Sequence, residues 1–319
     1  MRELVVITGG AGFIGSHLAE GFVRNGYAVR VIDNLSTGKL RNLAHIKDSI
    51  DFRKNDIRDS AGLTQALEGA SIILHHAGIS SVPRSFEDQA ATHGINVTGT
   101  QNLLSAAIAV GAKRVINASS SSVYGDNGAD LQTESSLPAP RSPYGFSKWF
   151  GEIYALQFAQ LTQVETISLR YFNVFGPHQN LDGGSAAVIP QFIRKLADGG
   201  RPIIYGDGTQ TRDFTCVDSI VEANLRVVKT SIPSGTILNI ATGNRLSLNA
   251  LIELLNEIFG SRIPPIYESD RTGDIKHSRA DIQLSEKLLG DYNRADFREG
   301  LVRTARWFLA ASGRNKKCE

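Results

Sequence analysis

The sequence predicts an α/β protein built on a doubly wound parallel sheet, and three observations carry that prediction. Short apolar runs alternate with amphipathic stretches through the first half of the chain. A glycine-rich segment, Gly9-Gly10-Ala11-Gly12-Phe13-Ile14-Gly15, directly follows the first apolar run, Leu4-Val5-Val6-Ile7. An acid, Asp33, closes the second run, 18 residues after Gly15. Strand, tight turn, helix and acid in that order make up a dinucleotide-binding βαβ unit of the Rossmann type.

Strands are expected at 4–8, 28–33, 51–54, 71–75, 114–118 and 166–170, with helices at 12–25, 61–67, 87–110 and 143–160. Regular alternation covers both faces of a parallel sheet with helices and puts ligands beyond the carboxyl ends of the strands. After Tyr171 the pattern changes. Gly176-Pro177, Gly183-Gly184, Pro190, Gly199-Gly200 and Gly206-Asp207-Gly208 punctuate short elements, with helical stretches at 250–259 and 301–311 and an extended piece from Ile263-Pro264-Pro265. The expected division is a cofactor domain over 1–172, to which later segments return, and a smaller α/β C-terminal domain over 173–319 that covers the crevice.

The 319 residues suffice for one large or two modest domains. With 41% hydrophobic and 21% charged residues the composition is that of a soluble globular protein. A net charge of +2 gives no electrostatic reason to expect nucleic acid or a membrane. No apolar run approaches the roughly 18 residues of a membrane span. The chain enters strand pattern at once, so no signal peptide is expected. Cys216 and Cys318 make neither a disulfide framework nor a metal cluster. A reducing cytoplasm is the expected compartment, and no metal is expected.

Glycines at the first turn let a pyrophosphate approach a helix N-terminus, where unpaired N–H groups and the helix dipole hold its charge. Gly9, Gly12, Phe13, Ile14 and Gly15 are therefore candidate cofactor contacts. A carboxylate at Asp33 can accept both hydroxyls of an adenosine ribose and repels a 2′-phosphate, which favours NAD over NADP; capping of the following turn is the competing role. Asn34, Ser36, Thr37 and Gly38 extend that pocket. Asp56 and Ile57 end the third strand where an adenine edge would lie, and His75 and Ala77 follow the fourth.

Tyr144 and Lys148 are four residues apart behind Ser142-Pro143, so they share one helical face. A phenol titrates near ~10 and is a poor base at neutral pH. A nearby ammonium and a positive nicotinamide ring are expected to lower that value, so that the tyrosine can exchange protons with a sugar hydroxyl. The pair alone also arises by chance on surface helices; the dinucleotide motif ahead of it is what gives it weight. Ser119, Ser120, Ser121 and Ser122, at the end of the fifth strand, place hydroxyls beside the nicotinamide and within reach of a substrate oxygen. For any one of them a polar loop start is the alternative.

These segments, with Ser120-x-x-x-Tyr124-Gly125 and Arg170-Tyr171-Phe172-Asn173-Val174-Phe175-Gly176-Pro177, resemble the extended short-chain dehydrogenase/reductase superfamily over about residues 4–290. Within it the chain resembles the UDP-hexose 4-epimerases, and the UDP-N-acetylglucosamine 4-epimerases most. The resemblance implies Tyr144 as base, Ser120 as the bridge between substrate O4 and the tyrosine, and Lys148 on the nicotinamide ribose. It implies Tyr171 as a cofactor contact, and Phe172 and Asn173 as substrate contacts. Ser81 and Arg84 match a loop facing sugar and cofactor. Ile203, Tyr205 and Arg212 fall where the family holds uracil and diphosphate, and Arg271 and Asp274 match a further diphosphate arginine and a ribose-binding aspartate. Ala187 and Val188 stand where several epimerases place an asparagine on the diphosphate, so backbone contact is expected there.

Dehydratases of this family carry an Asp-Glu pair where Ser121-Ser122 stand, and neither serine can act as the acid of a dehydration. Ser278 matches the wall of the sugar pocket that is tyrosine in members restricted to glucose and galactose, and Ser or Cys in members that accept N-acetyl sugars. The expectation is an NAD-dependent UDP-sugar 4-epimerase acting on both sugar pairs. A UDP-glucuronate epimerase and a non-catalytic NAD-binding protein are the rival readings. The resemblance also implies a homodimer through helices 87–110 and 143–160.

Overall fold

The structure, a computed structural model, describes residues 2–128, 130–180, 187–269, 276–292 and 295–313. β1 (Leu4–Thr8) leads through the glycine turn into α1 (Phe13–Arg24) and β2 (Ala28–Asp33). A 3-10 stretch, Leu40–Ser49, precedes β3 (Ile50–Lys54), α2 (Ser60–Ala66) and β4 (Ile72–His75). α3 (Val82–Glu87), α4 (Gln89–His93) and α5 (Gly99–Ala109) lead to β5 (Arg114–Ser120), α6 (Pro143–Leu161) and β6 (Glu165–Tyr171). Shorter pieces follow: β7 (Val174–Phe175), α7 (Val188–Ala197), β8 (Ile203–Tyr205), β9 (Thr211–Arg212), β10 (Thr215–Cys216) and α8 (Val217–Lys229). The chain then forms β11 (Thr236–Ile240), β12 (Leu246–Ser247), α9 (Leu248–Ile258), β13 (Ile266–Glu268), α10 (Gln283–Leu289) and α11 (Phe297–Ala311).

The core is a Rossmann-like parallel sheet of seven strands in the order β11-β6-β5-β4-β1-β2-β3. Strand order reverses at β1, and that switch point opens a crevice at the carboxyl ends. Val5, Val6 and Ile7 are fully buried because both faces are covered, which is why the strands read as unbroken apolar runs. One face packs α1 and α8 around Leu18, Phe22, Ile220 and Ala223; the other packs α2 and α5 around Leu63, Leu103 and Ala107. A separate core between α7, α9 and α11, built on Phe192, Leu255 and Phe308, holds the smaller C-terminal α/β subdomain together.

The ends of the strands are stepped. His75 closes β4 opposite Asn117, whereas β5 and β6 run on together to Ser120 and Tyr171. This step forms one wall of the crevice.

Three features depart from the sequence expectation. β11 comes from beyond the first half of the chain and closes the free edge of β6, pairing Thr236 with Ile167 and Ile240 with Tyr171. The helix expected at 87–110 is broken. Asp88 accepts a hydrogen bond from the Ala91 N–H (2.9 Å) and starts α4 afresh, and a π-helical turn, Gly94–Thr98, separates α4 from α5. Asn96 on that turn grips the backbone of Ile79, accepting from its N–H (2.7 Å) and donating to its carbonyl (2.9 Å). Helices α3, α7, α8 and α10 also form outside the expected helical ranges.

Candidate active site

A cleft of about 960 Å³ runs along the carboxyl ends of the sheet. Its floor is the β1–α1 turn. Gly9 has φ +69°, and a Cβ there would lie 2.6 Å from the Ala77 nitrogen; a Cβ on Gly15 would lie 2.2 Å from the Gly9 carbonyl oxygen. Only glycine lets the turn close on itself and on the end of β4. Gly12 caps α1 with no side chain in the way, so the first-turn N–H groups of Phe13 and Ile14 face the cleft.

Asp33 stands at the end of β2. Its carboxylate accepts from the Ala11 N–H (3.0 Å) and the Leu35 N–H (2.8 Å). Burial pushes its pKa up, and these two hydrogen bonds oppose the shift. Gly38 backs onto the same carboxylate, where a Cβ would lie 2.7 Å from Oδ1. Asn34, Ser36, Thr37 and Ile57 line this end of the cleft. Asp56 does so too, but its carboxylate is taken by the Arg58 guanidinium (2.9 and 2.8 Å) and the Asn34 amide (2.8 Å). Arg58 holds that carboxyl far below the usual range.

The two histidines at the end of β4 divide. His75 lies away from the cleft, buried between Thr8 Oγ1 (2.8 Å) and Thr100 Oγ1 (2.9 Å). His76 is the one that lines it. Its Nε2 meets the Tyr171 hydroxyl at 2.9 Å, their rings stack 5.7 Å apart, and Asn224 donates to the same hydroxyl at 3.0 Å. Burial, then the charge of Lys148, drives both histidines down to about 3, so both are neutral near pH 7. The doublet is visible in the sequence; which ring turns inward is set by the strand end.

Tyr144 and Lys148 enter the cleft together from the first turns of α6. Ser142 caps the helix, accepting from the Gly145 N–H (3.0 Å), with Pro143 at its first position. Lys148 donates to the Ala118 carbonyl (2.9 Å). Burial lowers the lysine to about 8, with Glu152 opposing. The phenol differs from the sequence expectation. Burial raises its pKa, and the nearby Ser120 hydroxyl pulls it back. Lys148 is drawn toward Ala118 and is not among the groups that shift it. Ser120 also donates to Ser122 Oγ (3.2 Å). Ser119 lines the cleft and donates to the buried Glu152 carboxylate. Ser121 and Ser122 form a 3-10 turn beside them.

Ser81 and Arg84 line the cleft from α3, where Ser81 Oγ accepts from the Arg84 N–H (3.2 Å). A second cavity of about 260 Å³ adjoins the cleft through Gln179 and Ala187. It is lined by Asn173, Val188, Ile203, Tyr205 and Arg212. Ser278 joins this region by its N–H to the Thr211 carbonyl (3.2 Å). Phe172 lines neither space; it is fully buried beside Tyr124, ring centroids 6.0 Å apart. Arg271 and Asp274 lie outside the described residues.

His178 is on the cleft wall with φ +67°. It is held by Ser16 Oγ (2.9 Å), a stack on His17 (4.8 Å) and the edge of Trp307 (5.6 Å). No sequence pattern marks it.

A glycine-floored cleft with a buried acid at one end and a Tyr–Lys pair at the other is built for a dinucleotide and a hydroxyl-bearing substrate. Comparisons with known proteins agree. Residues 5–241 match the NAD dependent epimerase/dehydratase family. The chain is 36% identical over 307 residues to a putative UDP-glucose 4-epimerase of Methanocaldococcus jannaschii, covering 95% of this chain and 98% of that one. It is 33% identical to a UDP-glucuronate 4-epimerase of Thermodesulfobacterium geofontis, covering 95% of each. The solved UDP-N-acetylglucosamine 4-epimerase of Methanobrevibacter ruminantium, in complex with UDP-N-acetylmuramic acid, superposes with a TM-score of 0.90 at 36% identity, covering 98% of this chain and all of that one. With about three-quarters of its length matched by the family and near-complete overlap with these relatives, the chain belongs to the NAD dependent epimerase/dehydratase family.

Proposed function

We propose that the protein is an NAD-dependent 4-epimerase of UDP-hexoses, interconverting UDP-GlcNAc with UDP-GalNAc and UDP-Glc with UDP-Gal through a 4-keto sugar. One observation carries the reading: Tyr144 and Lys148 share a cleft with the glycine turn and Asp33, and Ser120 closes the strand beside them. The UDP-sugars named for the relatives support the substrate class.

The residues present fit NAD. The turn at Gly9 and Gly15 has no room for a Cβ, and the uncapped start of α1 is open to a pyrophosphate. Asp33 would hold the adenosine ribose and Lys148 the nicotinamide ribose. NAD, when bound there, would supply the hydride acceptor and donor that an exchange at the sugar's C4 needs. Tyr144 takes the O4 proton, Ser120 relays it, and the tyrosine gives it back at the end. Lys148, one helical turn along α6, brings its positive charge into the same cleft. The uridine diphosphate is held by Ile203, Tyr205 and Arg212 in the adjoining cavity, leaving the sugar free to turn about it. Ser121-Ser122 offers no acid for loss of water, which argues against a dehydratase.

A uronic acid is the second reading, supported by the Arg84 guanidinium on the cleft wall and by the UDP-glucuronate epimerase relative. The purified protein is incubated with UDP-GlcNAc, UDP-Glc and UDP-glucuronate, and products are resolved by chromatography. Formation of UDP-GalNAc and UDP-Gal without added cofactor is the expected outcome. Turnover of the uronate alone moves the assignment to the second reading, and bound NAD with no product on any substrate removes both. The apolar faces of α6 and α3 support a homodimer of this chain, which we propose as its assembly.

A further inference from the structure

We propose that Glu152 is a positioning residue for the Tyr144–Lys148 pair, its carboxylate joining the lysine, the end of β5 and the buried base of the cleft into one charged unit. This goes beyond the proposed reaction, though its rate readout rests on that reading.

Tyr144, Lys148 and Glu152 follow at four-residue spacing on α6, so the carboxylate lies one turn behind the ammonium on the same face. Glu152 is 3% exposed. From β6, Arg170 (2% exposed) grips it with two hydrogen bonds, Nε to Oε1 at 2.8 Å and Nη2 to Oε2 at 2.7 Å. The guanidinium lies over the Tyr124 ring, 4.6 Å from its centroid, and the Tyr124 hydroxyl donates to Asn239 Oδ1 (2.6 Å). On the cleft side the Ser119 hydroxyl donates to the same carboxylate. Two consecutive residues at the end of β5 thus engage two side chains of α6: the Ala118 carbonyl takes Lys148 and Ser119 takes Glu152.

A buried ion pair is a weak source of stability, since apolar residues of the same volume often serve as well or better. What an apolar pair cannot do is act on Lys148. Burial lowers that lysine to about 8, and Glu152 is the group that raises it. Other groups face it from the surrounding elements. His75 and His76, at the end of β4, are neutral down to about 3. Tyr144 on α6 and Tyr171 on β6 are both pushed upward by burial. Arg84 lines the cleft from α3. Of these groups, Lys148 is the one that changes charge near pH 8.

The test uses the full chain and reads two pH profiles: NAD affinity by titration calorimetry, which needs no sugar, and kcat on a UDP-hexose. Glu152→Gln keeps the shape, removes the negative charge and leaves Arg170 alone, so the alkaline limb of both profiles moves to lower pH by roughly one unit or more. Arg170→Gln leaves the carboxylate unneutralised and moves the limb the other way. A role confined to packing gives no such opposed shifts. Each single variant is read independently, and Glu152→Asp, which keeps the pair charged and draws the carboxylate back by one methylene, covers the case in which neither folds; its limb moves down by less. A limb that stays at the wild-type pH in the variants that fold overturns the proposal. Loss of all UDP-hexose turnover in the wild type, with the NAD-affinity limb still moving in the variants, sinks the proposed reaction and leaves this inference standing.

Discussion

Lys148 shows what the site costs at the level of one residue. Its pKa is lowered from 10.5 to about 8 because its charge is buried. The charged lysine therefore destabilises the fold fully below pH 8, and the cost is relieved as pH rises from 8 toward 10.5. At 1.36 kcal/mol per unit the shift amounts to roughly 3 kcal/mol, against about 1 kcal/mol for the hydrogen bond to Ala118. Lys148→Met is expected to stabilise the ligand-free protein at pH 7 by about 1–2 kcal/mol while weakening NAD binding; urea unfolding checks the first and calorimetry the second. Tyr144→Phe keeps the ring and removes the proton carrier, so kcat should fall by about 10³ with little change in substrate affinity; a loss of only a few-fold would show that another group carries the proton. Ser278→Tyr is expected to abolish turnover of N-acetyl sugars and spare UDP-Gal, read as the ratio of the two kcat/KM values. The sequence disclosed Tyr144 and Lys148 because helical spacing puts them on one face. Glu152 sits at the next step of that spacing and was open to the same logic. Its partner Arg170 was not, because their meeting depends on how β6 lies against α6. His76 was hidden by the choice between adjacent strand-end residues, and His178 by a left-handed backbone that no local pattern announces.

The glycine turn is the element on which the cofactor end depends. Gly15→Ala puts a Cβ 2.2 Å from the Gly9 carbonyl oxygen, and no side chain can yield there. Loss of NAD retention and a lower melting temperature are expected together, measured by absorbance of the purified protein and by thermal unfolding. Retention of stoichiometric NAD by this variant would show that the turn can open without cost. At this scale the strands of the first half were legible because burial on both faces makes each a continuous apolar run between turns. β11 was not. Thr236–Ile240 is as apolar as its neighbours, but nothing local says that it pairs with Glu165–Tyr171, and Asn239 within it is satisfied by the distant carbonyls of Gln132 and Asp281. The break at Gly94–Thr98 was equally hidden, since the hydrophobic pattern runs through it. What bends the helix is the Asn96 amide reaching across to Ile79 and Ser147.

On the whole molecule, α6 carries an apolar stripe of Phe146, Phe150, Ile153 and Leu161, each more than 40% exposed, and Phe86 of α3 is 55% exposed. This patch is the surface on which the proposed dimer rests. Phe150→Glu is expected to convert the proposed dimer to monomer in sedimentation; a wild type that already sediments as a monomer would remove the proposed assembly.

The position of β11 has a consequence for synthesis. Residues 172–235 lie between β6 and the strand that closes its edge. A nascent chain that has emerged only as far as Tyr171 holds six of the seven strands, with the outer row of β6 amides and carbonyls still open. Such an edge templates pairing with other chains. Solubility of progressively longer N-terminal fragments should accordingly rise as a step when Ile240 is included, not as a slope. The fold therefore reaches its safe state late, when the ribosome has already delivered three-quarters of the protein.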